Sequence, residues 1–481
     1  MFLSRRKKST FAAGALIPAT LFLAVFCISQ FLQRFTLAQM ANNGLFLLTP
    51  DWFREVLTGT HPVSETVASF LVQFYDMPVA GALIVASVIT LTYLALDVLF
   101  RRCRLPIHRL LALLGALACW FFTERLASNL IPVMVMLIAA GLALLSLIVR
   151  KKDEGPAARW ELPVALVLTL CVAALIGTDA NTTVRERLAK AQYNAGMYRW
   201  DKVLEAATPD NAARDPRLRP YAFLALGETG QLGDRMFKYP VMGPEDFGEE
   251  GDNSLSGYLF KSLLNECLHI PNEAIHQIFQ YSASLPHGMS HLSLYQLIKY
   301  NLEAGNYTMA RKYAEILRHS PRSSSGARSV LRTYADAVDA VDTVGHSSAY
   351  SPVFTKDPML NLAQMDMIGR STNHSSNRFL CYLLLYGELE NFKRLIEPIS
   401  WPNGKIPVHY QEALLISEID PEYWGIDKEV LKRFNAFTKA VLDHDNAAIQ
   451  KTATGTYWGY YILIKDRELS ERDSGTDFPA S

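Results

Sequence analysis

The sequence predicts an all-α protein: a bundle of about five membrane-crossing helices, then a water-soluble stack of paired helices. Three observations carry this. Long apolar runs crowd into residues 11–177 of the 481-residue chain. Clusters of arginine and lysine punctuate those runs at alternate connections. Beyond residue 178 the texture turns to apolar stripes at helical spacing on a polar background, with little of the alternation that marks strands.

A helix rises about 1.5 Å per residue, so roughly 20 apolar residues cross a hydrocarbon core. Residues 11–32 satisfy this, with Pro18 at the middle, and so do 79–100, where Asp97 lies close enough to one end to reach the headgroups. Residues 130–149 are the cleanest run, and 162–177 are shorter but begin beside Trp160, a residue type favoured at the interface. The weakest segment is 105–122, whose apolar part starts only at Leu110, after His108 and Arg109. The other reading of that segment is a re-entrant or interfacial helix.

Charge then sets orientation. Arg5, Arg6, Lys7 and Lys8 precede the first run, Arg101, Arg102, Arg104 and Arg109 follow the second, and Arg150, Lys151, Lys152 and Arg159 follow the fourth. The intervening connections hold only Arg34, Arg54 and Arg125. Short basic loops stay in the cytoplasm, so the amino terminus is expected inside and the large domain outside. The first run is too long for a cleaved signal and has no cleavage-like site after it, which predicts an uncleaved anchor. A bacterial inner membrane is the expected location. In the first outside loop, 34–78, two short apolar stretches either lie on the membrane face or pack as a lid on the bundle.

The predicted domains are therefore 1–178 in the membrane, 179–469 in water and a disordered tail at 470–481. The best helical pair covers 292–321. Leu294, Leu297 and Ile298 form one stripe, Ala304, Gly305, Asn306 and Tyr307 the turn, and Ala310, Tyr313, Ala314 and Leu317 a second stripe before Pro321. Such a pair cannot bury both faces alone and calls for stacked neighbours. It resembles a tetratricopeptide repeat. Looser copies fall at 188–206, at 219–237 with a turn at Gly233 and Asp234, and at 380–396 with Gly387 and a turn at Glu390, Asn391 and Phe392. Irregular spacing makes this a degenerate tetratricopeptide-like α-solenoid. The membrane part, with the loop from Leu45 to Phe53 and the segment from Phe70 to Tyr75, resembles an uncharacterised family of Bacteroidota membrane proteins that place a helical domain after several spans.

Chemistry is sparse. The 47 basic residues balance 47 acidic ones, which argues against nucleic acid as a partner. No phosphate loop, dinucleotide fingerprint, zinc-protease helix or serine elbow occurs, so no catalytic, cofactor-binding or metal residue is assigned and no cofactor is expected. The six cysteines form no paired metal spacing, and Cys267 and Cys381 read as buried thiols. His287 and His291 read as ordinary surface histidines. The aromatic run 457–464 reads as a cap on the last helices, with membrane docking as the other reading. Repeat alignment would place Lys190, Asn194, Tyr295 and Lys299 in a peptide groove. The expected function is non-enzymatic: the bilayer holds the chain, and the helical domain binds envelope proteins or peptides. The competing expectation is an enzyme on a lipid-linked or envelope glycan, using Asp51, Glu65 and Asp76 of the first outside loop.

Overall fold

The computed structural model describes residues 2–77, 79–105, 107–126, 128, 130–146, 160–248, 252–285, 287–322, 358–367, 373–399, 401, 404–417 and 419–473. The basic connection at 150–159 and the tail from 474 lie outside these residues. Every described element is helical. The chain forms two compact units: residues 1–193 with 281–345, and residues 194–280 with 346–481.

In the first unit, α1 (Phe2–Leu32), α5 (Ala80–Arg102) and α8 (Glu161–Thr178) are long and apolar enough to cross a membrane. They mark the chain as a membrane protein. α6 (His108–Leu126) and α7 (Leu130–Ser146) complete the bundle. α6 starts three residues later than the hydropathy of 105–122 implied and runs on to Leu126. Arg104 and Ile107 take left-handed backbone, so the chain reverses there before the helix can begin.

Contacts at the helix ends give the directions. Arg109 and Glu161 pair at 3.4 Å where α6 and α8 begin, and Arg125 lies 4.0 Å from Asp179 where both end. Gly177, at the end of α8, packs against Leu32 and Ile28 near the end of α1. α1, α6 and α8 therefore run parallel. α5 opposes them, with Asp97 3.6 Å from His108 across the hairpin. Val133, early in α7, packs with Val88 in the first half of α5, so α7 runs with α5. The inward faces carry small residues such as Ala82, Ala86, Ala112, Ala116, Ala139 and Ala165. Leu23, Leu91, Leu114, Ile138, Leu145 and Leu170 face outward and exposed. That is the inverse of a water-soluble bundle and the pattern of helices that face lipid.

The connection 34–78 folds as α2 (Arg34–Asn43), α3 (Pro50–Leu57) and α4 (Pro62–Val72). α9 (Ala180–Gly196) holds α2 through Glu186. Its carboxylate accepts from the Phe35 and Thr36 amides, both at 2.8 Å, and from the Thr36 hydroxyl at 2.7 Å. These amides belong to the first turn of α2 and have no partner within the helix, so an anion there is favourable.

The second unit opens with α10 (Trp200–Ala206), α11 (Pro209–Arg214), α12 (Arg219–Glu228), α13 (Leu232–Arg235) and α14 (Leu255–Cys267). α15 (Pro271–Ala283) leads back to the first unit, where α16 (His291–Glu303) and α17 (Tyr307–Leu317) form the expected hairpin. All seven predicted stripe residues of that hairpin are buried, and Gly305 makes the turn at φ +75°. The second unit resumes with α18 (Pro358–Met367), α19 (Asn373–Leu385), α20 (Leu389–Ile396), α21 (Val408–Ile416), α22 (Lys428–Leu442), α23 (Asn446–Ala453) and α24 (Tyr457–Asp473).

Two predicted turns move. The first falls at Gly230, φ +68°, leaving Gly233 inside α13 against Pro407 and Tyr410. The second falls at Gly387, φ +73°, leaving Glu390, Asn391 and Phe392 in α20. In both, the chain turns where a glycine relieves left-handed backbone, not at the polar residues two or three positions later. Residues 470–473, expected in the tail, continue α24. Tyr457, Trp458 and Tyr460 are buried within the second unit.

Candidate functional site

Between the 34–78 connection and the α16–α17 hairpin, wholly within the first unit, lies an open cleft of about 480 Å³. Its floor is Leu45, Leu47, Trp52, Val56, Met289 and Ile316, and its rim carries Asp51, Glu55, Glu315, His287 and His319.

Local sequence explains the walls. Thr49 caps α3 by accepting from the Trp52 amide, and Pro50 starts the helix. α3 then presents Asp51, Trp52, Glu55 and Val56 to the cleft. Backbone on either side of 45–48 is extended, at Gly44 (φ −81°, ψ 157°) and at the cap Thr49 (φ −126°, ψ 145°). Leu45 and Leu47 line the cleft, while Phe46 turns away into a ring cluster with Trp52 at 4.7 Å, Phe70 at 5.3 Å and Phe53 at 6.1 Å. This period of two is the signature of an extended chain. Both ends of the segment are fixed to the hairpin. Gly44 accepts through its carbonyl from the His291 amide at 3.0 Å, and the Leu48 amide donates to the His319 carbonyl at 2.9 Å. Those are an unpartnered amide of the first turn of α16 and a carbonyl beyond the end of α17, which helix ends leave available.

Further hydrogen bonds tie these elements together. Arg322 donates to the Ala41 carbonyl at 2.9 Å, to Asn42 Oδ1 at 3.0 Å and to Asp76 Oδ2 at 2.5 Å. The Tyr281 hydroxyl donates to Asn43 Oδ1 at 2.6 Å, and burial pushes that phenol up. Ser290 and Ser293 form a reciprocal capping box at the start of α16.

The rim is anionic. Asp51 pairs with Arg54 and Glu315 with Arg318, each at 3.1 Å in exposed, one-turn ion pairs. His287 stands between two carboxylates, with Nε2 2.9 Å from Glu65 and Nδ1 3.8 Å from Glu55. His291, expected at the surface, is half-buried. Desolvation first, and the nearby Arg322 guanidinium second, hold its pKa down at about 3. It is therefore neutral at physiological pH and adds no positive charge beside the cleft.

None of the four groove residues expected from repeat alignment lines this cleft. Lys190 and Asn194 lie one turn apart on α9, the first half-buried and the second buried. Tyr295 and Lys299 lie one turn apart on α16, with Tyr295 exposed and Lys299 half-buried, its ammonium pKa lowered by desolvation. The three loop acids are also separated. Asp51 is on the rim, Glu65 holds His287, and Asp76 is committed to Arg322. Nothing in the sequence singles out Glu55, Met289 or Glu315 by motif. The available signal was the amphipathic α3, whose acids recur at Asp51 and Glu55 on one face. Among the described residues no group of histidines, cysteines and carboxylates has the geometry to hold a metal ion.

No curated protein and no solved structure matches the chain. A family of unknown function (DUF6057) matches it over residues 8–184 and 156–464. The match takes in the bundle, both walls of the cleft and the second unit, and the chain belongs to this family of unknown function.

Proposed function

We propose that the chain is a membrane-anchored binding protein of the cell envelope, whose cleft takes a segment of a partner protein. The observation that carries this reading is the cleft itself: concave, apolar at the floor, ringed by charge and built on fixed elements, as binding sites are. In this reading α1, α5, α6, α7 and α8 all cross an inner membrane, with the amino terminus in the cytoplasm. The cleft and the second unit then stand on the periplasmic side. The alternating helix directions, and the basic residues at the ends of α5 and the start of α6, support it. α6 falls short on hydropathy because His108, Arg109, Glu124 and Arg125 stand at its ends, while Leu110–Phe122 between them is apolar and Leu110, Ala112, Leu113, Ala116, Leu117 and Trp120 are buried. The glycine-turned helix pairs of the second unit support a degenerate tetratricopeptide-like stack, a second surface for protein partners.

A photo-crosslinking amino acid at Met289, in the full-length protein in its host cell, tests this. A discrete protein adduct that disappears with Leu47→Arg supports it. Adducts to lipid alone would count against it. One observation favours an enzyme instead: an imidazole oriented by Glu65 at the mouth of a cleft has the geometry of a general base. On that reading His287→Gln abolishes cellular function while leaving the adduct in place; on the binding reading His287→Gln does not separate the two.

A further inference from the structure

We infer that the cleft takes its partner as an added strand: an extended peptide whose apolar residues alternate with basic ones. This rests on the cleft being a binding site, and it names the class of segment that fits.

The backbone of 44–48 is the first reason. In an extended chain the N–H and C=O groups of successive residues point to opposite edges. The Gly44 carbonyl and the Leu48 amide both reach the hairpin, where they are hydrogen-bonded, while the Gly44 amide closes α2 on the Met40 carbonyl. By the same alternation, Leu45 and Leu47 are placed to present theirs to the other edge. Among the described residues, neither makes a hydrogen bond through these groups. A short sheet edge of this kind is the template that strand addition uses, with main-chain bonds giving affinity and side-chain pockets giving selectivity.

The second reason is the floor. Leu45 and Leu47 stand two residues apart on the cleft face, and Trp52, Val56, Met289 and Ile316 surround them. An incoming strand has the same period, so every second side chain would meet this apolar surface. The third reason is charge. Asp51 and Glu55 on α3 and Glu315 on α17 line the cleft from both walls. Glu55 has a histidine nitrogen near it at 3.8 Å. The arginines beside Asp51 and Glu315 sit in exposed pairs that a ligand cation can exchange at little cost. Lysines or arginines between the apolar residues of the peptide would meet these carboxylates.

The test uses full-length protein in zwitterionic nanodiscs and fluorescence anisotropy of a labelled Val-Lys-Val-Lys-Val peptide, with empty discs as the blank. Binding is expected, and it weakens by at least about tenfold in the surface double variant Glu55→Lys with Glu315→Lys. Methylating alternate backbone nitrogens of the peptide is expected to weaken it as much. Equal binding of the methylated peptide would overturn strand addition. Equal binding of Val-Glu-Val-Glu-Val would overturn the charge assignment. If no peptide binds while the Met289 adduct persists, the cleft is a binding site for another class of ligand and this inference alone fails. If the adduct is also missing, the reading beneath it fails too.

Discussion

Replacing Arg322 with methionine is expected to destabilise the first unit by about 3–5 kcal/mol, the cost of breaking a buried pair and leaving its partner charged. The Arg322 side chain is 10% exposed and serves three acceptors on two elements, the end of α2 and the turn after α4. Methionine keeps the length and most of the packing but supplies no donor. The Ala41 carbonyl, Asn42 and the Asp76 carboxylate would lose their partner together. Chemical unfolding in detergent checks the size of the effect, and protease nicking of the 44–48 segment checks its place. Adding Asp76→Asn should recover part of the loss, because the uncompensated charge is then gone. Arg54→Met makes the contrast: that arginine pairs with Asp51 in water, and the expected change is within about 0.5 kcal/mol.

Trp458→Ala is expected to cost the second unit a similar amount, about 3–5 kcal/mol. The ring is 1% exposed, lies 5.5 Å from Phe434 and 5.7 Å from Phe437, and packs with Leu415 and Val430. Its Nε1 donates to the Thr452 carbonyl at 2.9 Å, so α22, α23 and α24 all meet on this one side chain. Truncation leaves a cavity and an unbonded carbonyl at once. The loss should appear as faster proteolysis within 428–473 with the membrane bundle intact. Tyr423→Ala, at a residue 73% exposed, should move stability by no more than about 0.5 kcal/mol.

Much of the architecture was legible because it is periodic. The stripe from Leu294 to Leu317 and the glycine between its halves describe a hairpin without any distant partner. The apolar runs likewise announced α1, α5 and α8. What hydropathy could not give was the assembly. A boundary near 178 follows the change in texture, whereas the compact units follow packing, and packing returns 281–345 to the membrane unit through His291, His319 and Arg322. The cleft was illegible for the same reason. Its walls are 45–69 and 287–319, and nothing local to either stretch announces the other. The two misplaced turns have a different origin: several polar residues near each helix end are acceptable to a turn, and only backbone geometry shows which one takes left-handed φ. A polar side chain beside a turn looks solvent-facing until its neighbouring segment is known, and His291, whose amide bonds the Gly44 carbonyl, is half-buried.

On the proposed function, the cleft faces away from the cytoplasm on a bundle of five alternating crossings. Cysteine-free full-length protein carrying Met289→Cys, treated in intact cells with a membrane-impermeant maleimide, tests it most directly, with Lys7→Cys as the reference for the opposite side. The cleft cysteine is expected to be labelled in intact cells, and the cysteine at position 7 only after the membrane is opened. Labelling of position 289 only after permeabilisation would contradict it, because the cleft and its partner would then lie in the cytoplasm.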